Sequence, residues 1–281
     1  MSSTPNNSVD DLDAIARLID AIRPWRHQLV IVGGWAHRLH RFHPWADPPS
    51  HAALRTRDAD VAFSLDSPLA GDIRAALEAA EFIEVLSSDH QPPIAEYRLG
   101  EDHGGFFVEF LAPLKGSAVK RNGVEDATIK RAGVTAQKLR HLELLLIQPW
   151  PVRVDAASGV PIQNSAEILL PNPVSFIAQK LLIRNARTPD KQAQDTLYIH
   201  DTIELFAGKR EELRSIWRRE IRPTLHGKTA RTIERLGQER FRAVDDVIRR
   251  AARMPVGRSL TPERIQATCA LGLEEIFGES D

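Results

Sequence analysis

Apolar residues recur at Leu12, Ile15, Ile19 and Ile22, the spacing of one helical face, and predict a first helix over residues 8–22. Ser8 and Asp11 stand in capping-box-like spacing at its start. Residues 28–32 form a short apolar run that ends at Gly33-Gly34, the pattern of a buried strand turning into a helix over 35–41. A proline-rich loop follows at 43–50. Alternation then predicts a strand over 58–64, a helix over 69–81, and strands over 83–86, 95–99 and 105–111. The apolar run 142–147, within 139–154, is short enough for a strand pair or a short helix, with strands the preferred reading, and from residue 173 the period is helical. Helices are expected over 173–187, 189–207, 209–219, 229–253 and 261–277. The fold class is α/β (α+β): a mixed sheet with flanking helices over 1–170, then a helical region over 171–281.

Composition makes the chain an ordinary packed protein, with 42% hydrophobic and 27% charged residues among 281. No stretch approaches the roughly 18 to 20 apolar residues that a membrane span needs. The polar start does not resemble a signal peptide, and the expected location is the cytoplasm. The single cysteine, Cys269, excludes an internal disulfide and a Cys-based zinc site, and reads as a small buried hydrophobe. Net charge is only -1, but residues 209–264 carry sixteen Lys or Arg against eight acids, so the remainder is about -9. Many of those cations belong to solvated helix faces; as a group they suit a polyanionic partner.

Candidate chemistry centres on Asp58 and Asp60. Two apart on a strand, they project from one face while Ala59, Val61 and Phe63 take the other. Like charges so close repel unless one binds a proton or a cation lies between them. A divalent metal relieves the conflict, and two such ions about 3.5 to 4 Å apart can hold the attacking and leaving oxygens of a phosphoryl or nucleotidyl transfer. Two acids on the wet face of a strand also serve solubility alone. Gly33-Gly34 allows close backbone approach and a phosphate-attracting helix start, or is simply a tight turn. Glu109 is a lone charge among Phe106, Phe107, Val108, Phe110 and Leu111, and needs a partner, a metal or an edge strand that keeps it wet. Asp102, in a glycine-bearing loop, is the weaker third acid. Further on, Lys180, Arg184 and Arg187 at i, i+4 and i+7 form either a phosphate clamp or a solvated face. Thr188-Pro189 caps the next helix, with Lys191 and Asp195 near its start; Asp195 either orients Lys180 or a nucleotide, or is a surface acid. His37, His40, His43 and His51 lack companion ligands at metal spacing. His200-Asp201 has no nucleophilic Ser in a Gly-x-Ser-x-Gly setting, and there is no P-loop.

Gly33-Gly34-Trp35-Ala36, then Arg55-Thr56 before Asp58 and Asp60, then an acid in an apolar strand, resembles the nucleotidyltransferase superfamily related to DNA polymerase beta. Within it, the AbiEii and MenT-like toxins are the most similar branch, and residues 176–195 resemble that branch's motif of a triphosphate lysine, a basic residue and a later aspartate. The resemblance spans about 28–205 and leaves out the basic helices beyond. It implies a nucleotidyltransferase fold in which two Mg2+ ions bind Asp58, Asp60 and Glu109, the third acid able to act as base. It also implies an NTP held by Gly33, Gly34, Arg55, Lys180, Arg184, Lys191 and Asp195, the C-terminal helical domain completing that site. The implied reaction moves an NMP to an acceptor hydroxyl, with tRNA or another RNA as acceptor and a cognate antitoxin as partner of a toxin. Gly-Gly-Trp-Ala also resembles aminoglycoside-modifying members, which makes a small-molecule acceptor an alternative. A catalytically inactive binding or regulatory module is the other class. Trp35 stands where many members have Ser, and the long interval from Gly34 to Asp58 marks 41–54 as an insertion.

Overall fold

A computed structural model of the chain describes residues 11–66, 68–87, 92–99, 105–117, 119 and 126–278. The cap expected at Ser8 and the substitute acid Asp102 lie outside the described residues. The chain divides into two compact units, Met1–Phe42 with Arg55–Leu170, and His43–Leu54 with Pro171–Asp281.

The first unit is built on one mixed sheet. Its strands are β1 (Leu29–Val32), β2 (Asp58–Phe63), β3 (Phe82–Ser87), β4 (Ile94–Leu99), β5 (Phe107–Pro113), β6 (Thr128–Arg131), β7 (Val134–Leu139), β8 (Trp150–Val154) and β9 (Ala166–Leu170). The spatial order is β3-β4-β5-β2-β1-β9-β8, and β7 pairs with both β5 and β6. Every residue of β1 is buried, because β2 pairs with it antiparallel on one side and β9 parallel on the other. Strand β5 is shared: β2 runs parallel along one edge, while β4 takes Phe107–Glu109 and β7 takes Phe110–Pro113. Helix α1 (Asp11–Ala21) buries Ala14, Ile15, Leu18 and Ile19 along one stripe. Helix α2 (Gly33–Leu39) leaves β1 directly, and α3 (Ile73–Ala79) is capped by Asp72, which accepts from the Ala75 N–H at 3.0 Å. Trp35, Phe82 and Phe106 fill the core, with Trp35 edge-on to Phe106 at 6.0 Å; burying each contributes roughly 1.5 to 3 kcal/mol.

One expectation fails here. The run 142–147 is not a strand but a 3-10 helix, Leu142–Leu146, entered through a left-handed His141 at φ 62°. Leu142 and Leu145 pack with Val30, Val32, Ala62 and Leu111, so a tight turn buries the leucines without sheet pairing.

The second unit is helical: α4 (Pro173–Ile183), α5 (Pro189–Leu205), α6 (Arg210–Ile216), α7 (Gly227–Glu239), α8 (Asp246–Ala252) and α9 (Pro262–Phe277). The dipeptides Asn172-Pro173, Thr188-Pro189 and Thr261-Pro262 each supply an N-cap side chain and a proline first residue. The single helix expected over 229–253 is two. Glu239 ends α7, Phe241 turns into the core, and Asp245 restarts the chain by accepting from the Ile248 N–H at 2.8 Å. The helix expected over 209–219 passes into a wider π turn at Trp217–Ile221.

Segment His43–Leu54 is fastened within this helical unit. The Asp47 N–H donates to the Leu205 carbonyl at 2.8 Å, the His43 ring meets Phe206 edge-on at 6.1 Å, and Lys209 Nζ lies 5.6 Å from the Trp45 ring centre. His43 Nδ1 accepts the Trp45 N–H at 3.1 Å, which requires a neutral ring at that nitrogen. Burial pushes the His43 pKa down from 6.5 to about 4. A lowered histidine pKa stabilises the fold above the unfolded value and loses that stabilisation as pH falls from 6.5 toward 4. After discounting for a half-exposed ring, the loss at pH 4 is on the order of 1 to 2 kcal/mol. The thermal midpoint of the parent chain is therefore expected to fall more steeply over that window than that of His43→Phe.

Candidate active site

Strand β2 carries the two aspartates as its alternation requires: Asp58 and Asp60 are partly buried on one face, with Ala59 and Val61 fully buried on the other. The register joins them to the third acid. Asp60 is the direct partner of Glu109 across the parallel β2–β5 pair, and of Val32, the residue before the glycine turn, across β1–β2. Neighbouring strands lie about 4.8 Å apart, so paired side chains on one face are immediate neighbours. The row continues to an acid the sequence reading missed: Glu96 on β4 is the antiparallel partner of Glu109. Alternation in Ile94-Ala95-Glu96-Tyr97 already put Glu96 on a polar face, but only the register sets it beside Glu109. Arg98, two residues on, holds the Glu96 carboxylate through Nε at 3.0 Å and a terminal nitrogen at 2.6 Å. The Thr56 hydroxyl donates to the Asp58 carboxylate.

Gly33 is required on two counts. Its φ is +66°, and a Cβ there would run into Asp60 Oδ2 closer than real Cβ atoms come to any neighbour. The backbone of the turn thus touches one carboxylate of the row. Gly33→Ala is expected to cost about 1 to 3 kcal/mol and to displace Asp60; a thermal midpoint equal to the parent's would contradict this. Of the other two predicted residues of this unit, Gly34 is buried in the first turn of α2, and Arg55 lies at the surface and holds Asp11 at 2.5 Å.

The helical unit brings Lys180 and Asp195 together at 2.8 Å, both nearly fully buried, so neither is a surface group. Arg187 reaches the other Asp195 oxygen at 3.1 Å. The continuous stripe expected for Lys180, Arg184 and Arg187 does not form, because α4 ends at Ile183 and Arg184 begins a 3-10 turn. Arg184 is buried and pairs with Asp245 at 3.1 Å, while Lys191 is exposed.

Among the described residues, the one trio whose possible ligating atoms lie within 4.8 Å of one another is His200, Asp201 and Glu204 on α5, not the strand acids. Its carboxylates are already neutralised: Arg258 holds both Asp201 oxygens at 2.7 and 2.8 Å, and Arg264 holds Glu204 at 2.7 Å. Arg258 also donates to His51 Nε2 at 2.7 Å. Two acids balanced by two arginines form an ion-pair network, and a divalent ion would leave it with surplus positive charge. Cys269 is buried nearby; burial, with Asp201 and Glu204 adding to it, pushes its thiol pKa up and keeps it unreactive. The strand acids differ from this trio in donor type, presenting carboxylate oxygens alone, the hard donors that Mg2+ prefers.

A family model described as nucleotidyltransferase matches residues 10–222, well over half of the chain. The chain belongs to the nucleotidyltransferase family. It is thereby one of the transferases of phosphorus-containing groups, and nucleotidyl transfer is its general chemistry. A search of curated proteins finds no match. In this nucleotidyltransferase the mixed sheet with flanking helices and a C-terminal helical region fits the family's fold, and α7, α8 and α9 lie beyond the matched residues. No helix among the described residues is long and apolar enough to cross a membrane.

Proposed function

We propose that this nucleotidyltransferase moves an NMP from an NTP to an acceptor hydroxyl, with Asp58, Asp60 and Glu109 as its acidic centre. The observation that carries the reading is the β2–β5 register, which makes Asp60 and Glu109 direct neighbours beside the Gly33 turn. The acceptor oxygen forms a bond to the α-phosphorus, the bond from that phosphorus to the pyrophosphate oxygen breaks, and pyrophosphate leaves. The hydroxyl proton passes to Glu109 or Asp60. The three carboxylates would hold Mg2+, which supplies charge neutralisation for the phosphates when bound. Lys180, oriented by Asp195, is the helical unit's candidate phosphate cation, with Arg184 or Lys191 as the second. RNA is the proposed acceptor class, on the excess of cations over 209–264, and the likeness to the AbiEii and MenT toxins makes a tRNA end and a toxin's role the specific form of that reading.

A second reading, a binding module without catalysis, is favoured by one observation. Trp35, where many members have Ser, is fully buried and stacked by Arg38 at 4.7 Å, and offers no hydroxyl to a phosphate. Incubation with each labelled NTP, magnesium and total RNA separates the two. Label on RNA supports transfer; label on no acceptor of any kind leaves the binding module.

A further inference from the structure

We propose that the exposed face of α7 is a docking surface for a nucleic-acid backbone. Helix α7 buries Ala230, Ile233, Glu234 and Gly237, one stripe at helical spacing. Gly237 faces α9, where an added Cβ would be 3.7 Å from Leu273 and 3.8 Å from Phe277. That orientation sends Lys228, Arg231 and Arg235 outward, three exposed cations along about 10 Å of helix. Arg235 shares its charge with Glu239 at 2.5 Å, and the helix's other acid, Glu234, turns inward to Arg222 at 2.7 Å. Lys228 and Arg231 hold no ion pair among the described residues.

Lys228 is unfavourably placed, in the first turn of the helix. No acid occupies the first turn of α7, although the positive end of a helix favours acids and disfavours Lys or Arg. An external anion relieves both the helix end and the unpaired charges. A phosphodiester chain presents a negative charge about every 3.4 Å of strand, which matches a row of cations better than a single anion does. A lipid surface fits less well. Helices that lie on membranes bury an apolar face in the bilayer, whereas α7 spends its apolar face on α9 and α4, and none of the large hydrophobics exposed among the described residues lies on α7. The choice of nucleic acid over other polyanions rests on the nucleotidyl-transfer reading, for which the bound strand would be the acceptor.

The test is binding of the full chain to a labelled single-stranded RNA, the DNA of the same sequence and phosphatidylserine vesicles, each over a range of salt. The triple variant Lys228→Ala, Arg231→Ala, Arg235→Ala is expected to keep the parent's thermal midpoint, to bind RNA about tenfold or more weakly at low salt, and to show a log–log salt slope shallower by about 2. The charge-preserving swap Lys228→Arg, Arg231→Lys, Arg235→Lys is expected to restore both. RNA bound more tightly than DNA identifies RNA as the natural strand; equal binding leaves the shared backbone as the ligand. Triple-variant binding equal to the parent's, or parent binding to vesicles and not to nucleic acid, overturns the proposal. Binding that depends on the stripe in a chain that transfers no label leaves the surface standing and removes only the enzymatic reading.

Discussion

Replacing Asp58 and Asp60 together with alanine is expected to abolish label transfer from NTP and to erase the magnesium-dependent rise in thermal midpoint that a bound NTP produces. Both side chains are only partly buried, and Val61, Ala62 and Phe63 continue to anchor β2, so the variant keeps its fold. Removing two like charges from one strand face relieves repulsion, and the midpoint without ligand is expected to equal or exceed the parent's. The ligand response behaves oppositely. An NTP at a hundred times its Kd stabilises a folded chain by about 2.7 kcal/mol, and this increment disappears if the carboxylates carry the metal on which nucleotide binding depends. The transfer rate is expected to fall by about 10³-fold or more, the scale at which electrostatic stabilisation of developing charge acts. Transfer by the double variant at the parent rate would remove the strand acids from the mechanism. A parent whose midpoint responds to no NTP in magnesium would remove the nucleotide itself.

Asp195→Ala is expected to be the most destabilising single change in the helical unit, costing about 3 to 5 kcal/mol, because it strands the buried Lys180 ammonium without its carboxylate. The reverse change, Lys180→Met, costs less, since Arg187 still reaches Asp195 at 3.1 Å. Combining Lys180→Met with Asp195→Leu removes both charges and is expected to recover most of the stability. The same pair separates structure from function. A double variant that melts near the parent but no longer responds to NTP assigns Lys180 a nucleotide contact, whereas a full response confines the pair to packing. Chemical denaturation of the three variants beside the parent reads the stabilities.

Particular elements show how much of this was legible in the sequence. The alternation of Asp58 and Asp60 against Ala59 and Val61 gives their common face without any tertiary information, because a strand has a period of two wherever it lies. Thr188-Pro189 announces a helix start for a similarly local reason. Leu142–Leu146 was misread since a short apolar run has no period to distinguish a strand from a turn of 3-10 helix, and the choice belongs to the cavity it fills. The break between α7 and α8 was missed because Phe241 and Asp245 interrupt no periodicity until the core takes one and the cap uses the other. Strands β6 and β7 were missed because their burial follows no two-residue alternation: β7 buries Val134, Thr135 and Ala136 in succession.

The order of residues alone determined the greasy and acidic faces of β2, the glycine bend after β1, the caps of α4, α5 and α9, and the surplus of cations late in the chain. Each follows from interactions among residues a few positions apart. Tertiary structure alone decided that Glu109 and Glu96 stand in line with Asp60, that Lys180 and Asp195 share a dry contact, and that the proline-rich segment His43–Leu54 travels with the helices. Those pairings join residues far apart along the chain, where closing the loop costs entropy that only the burial of whole surfaces repays.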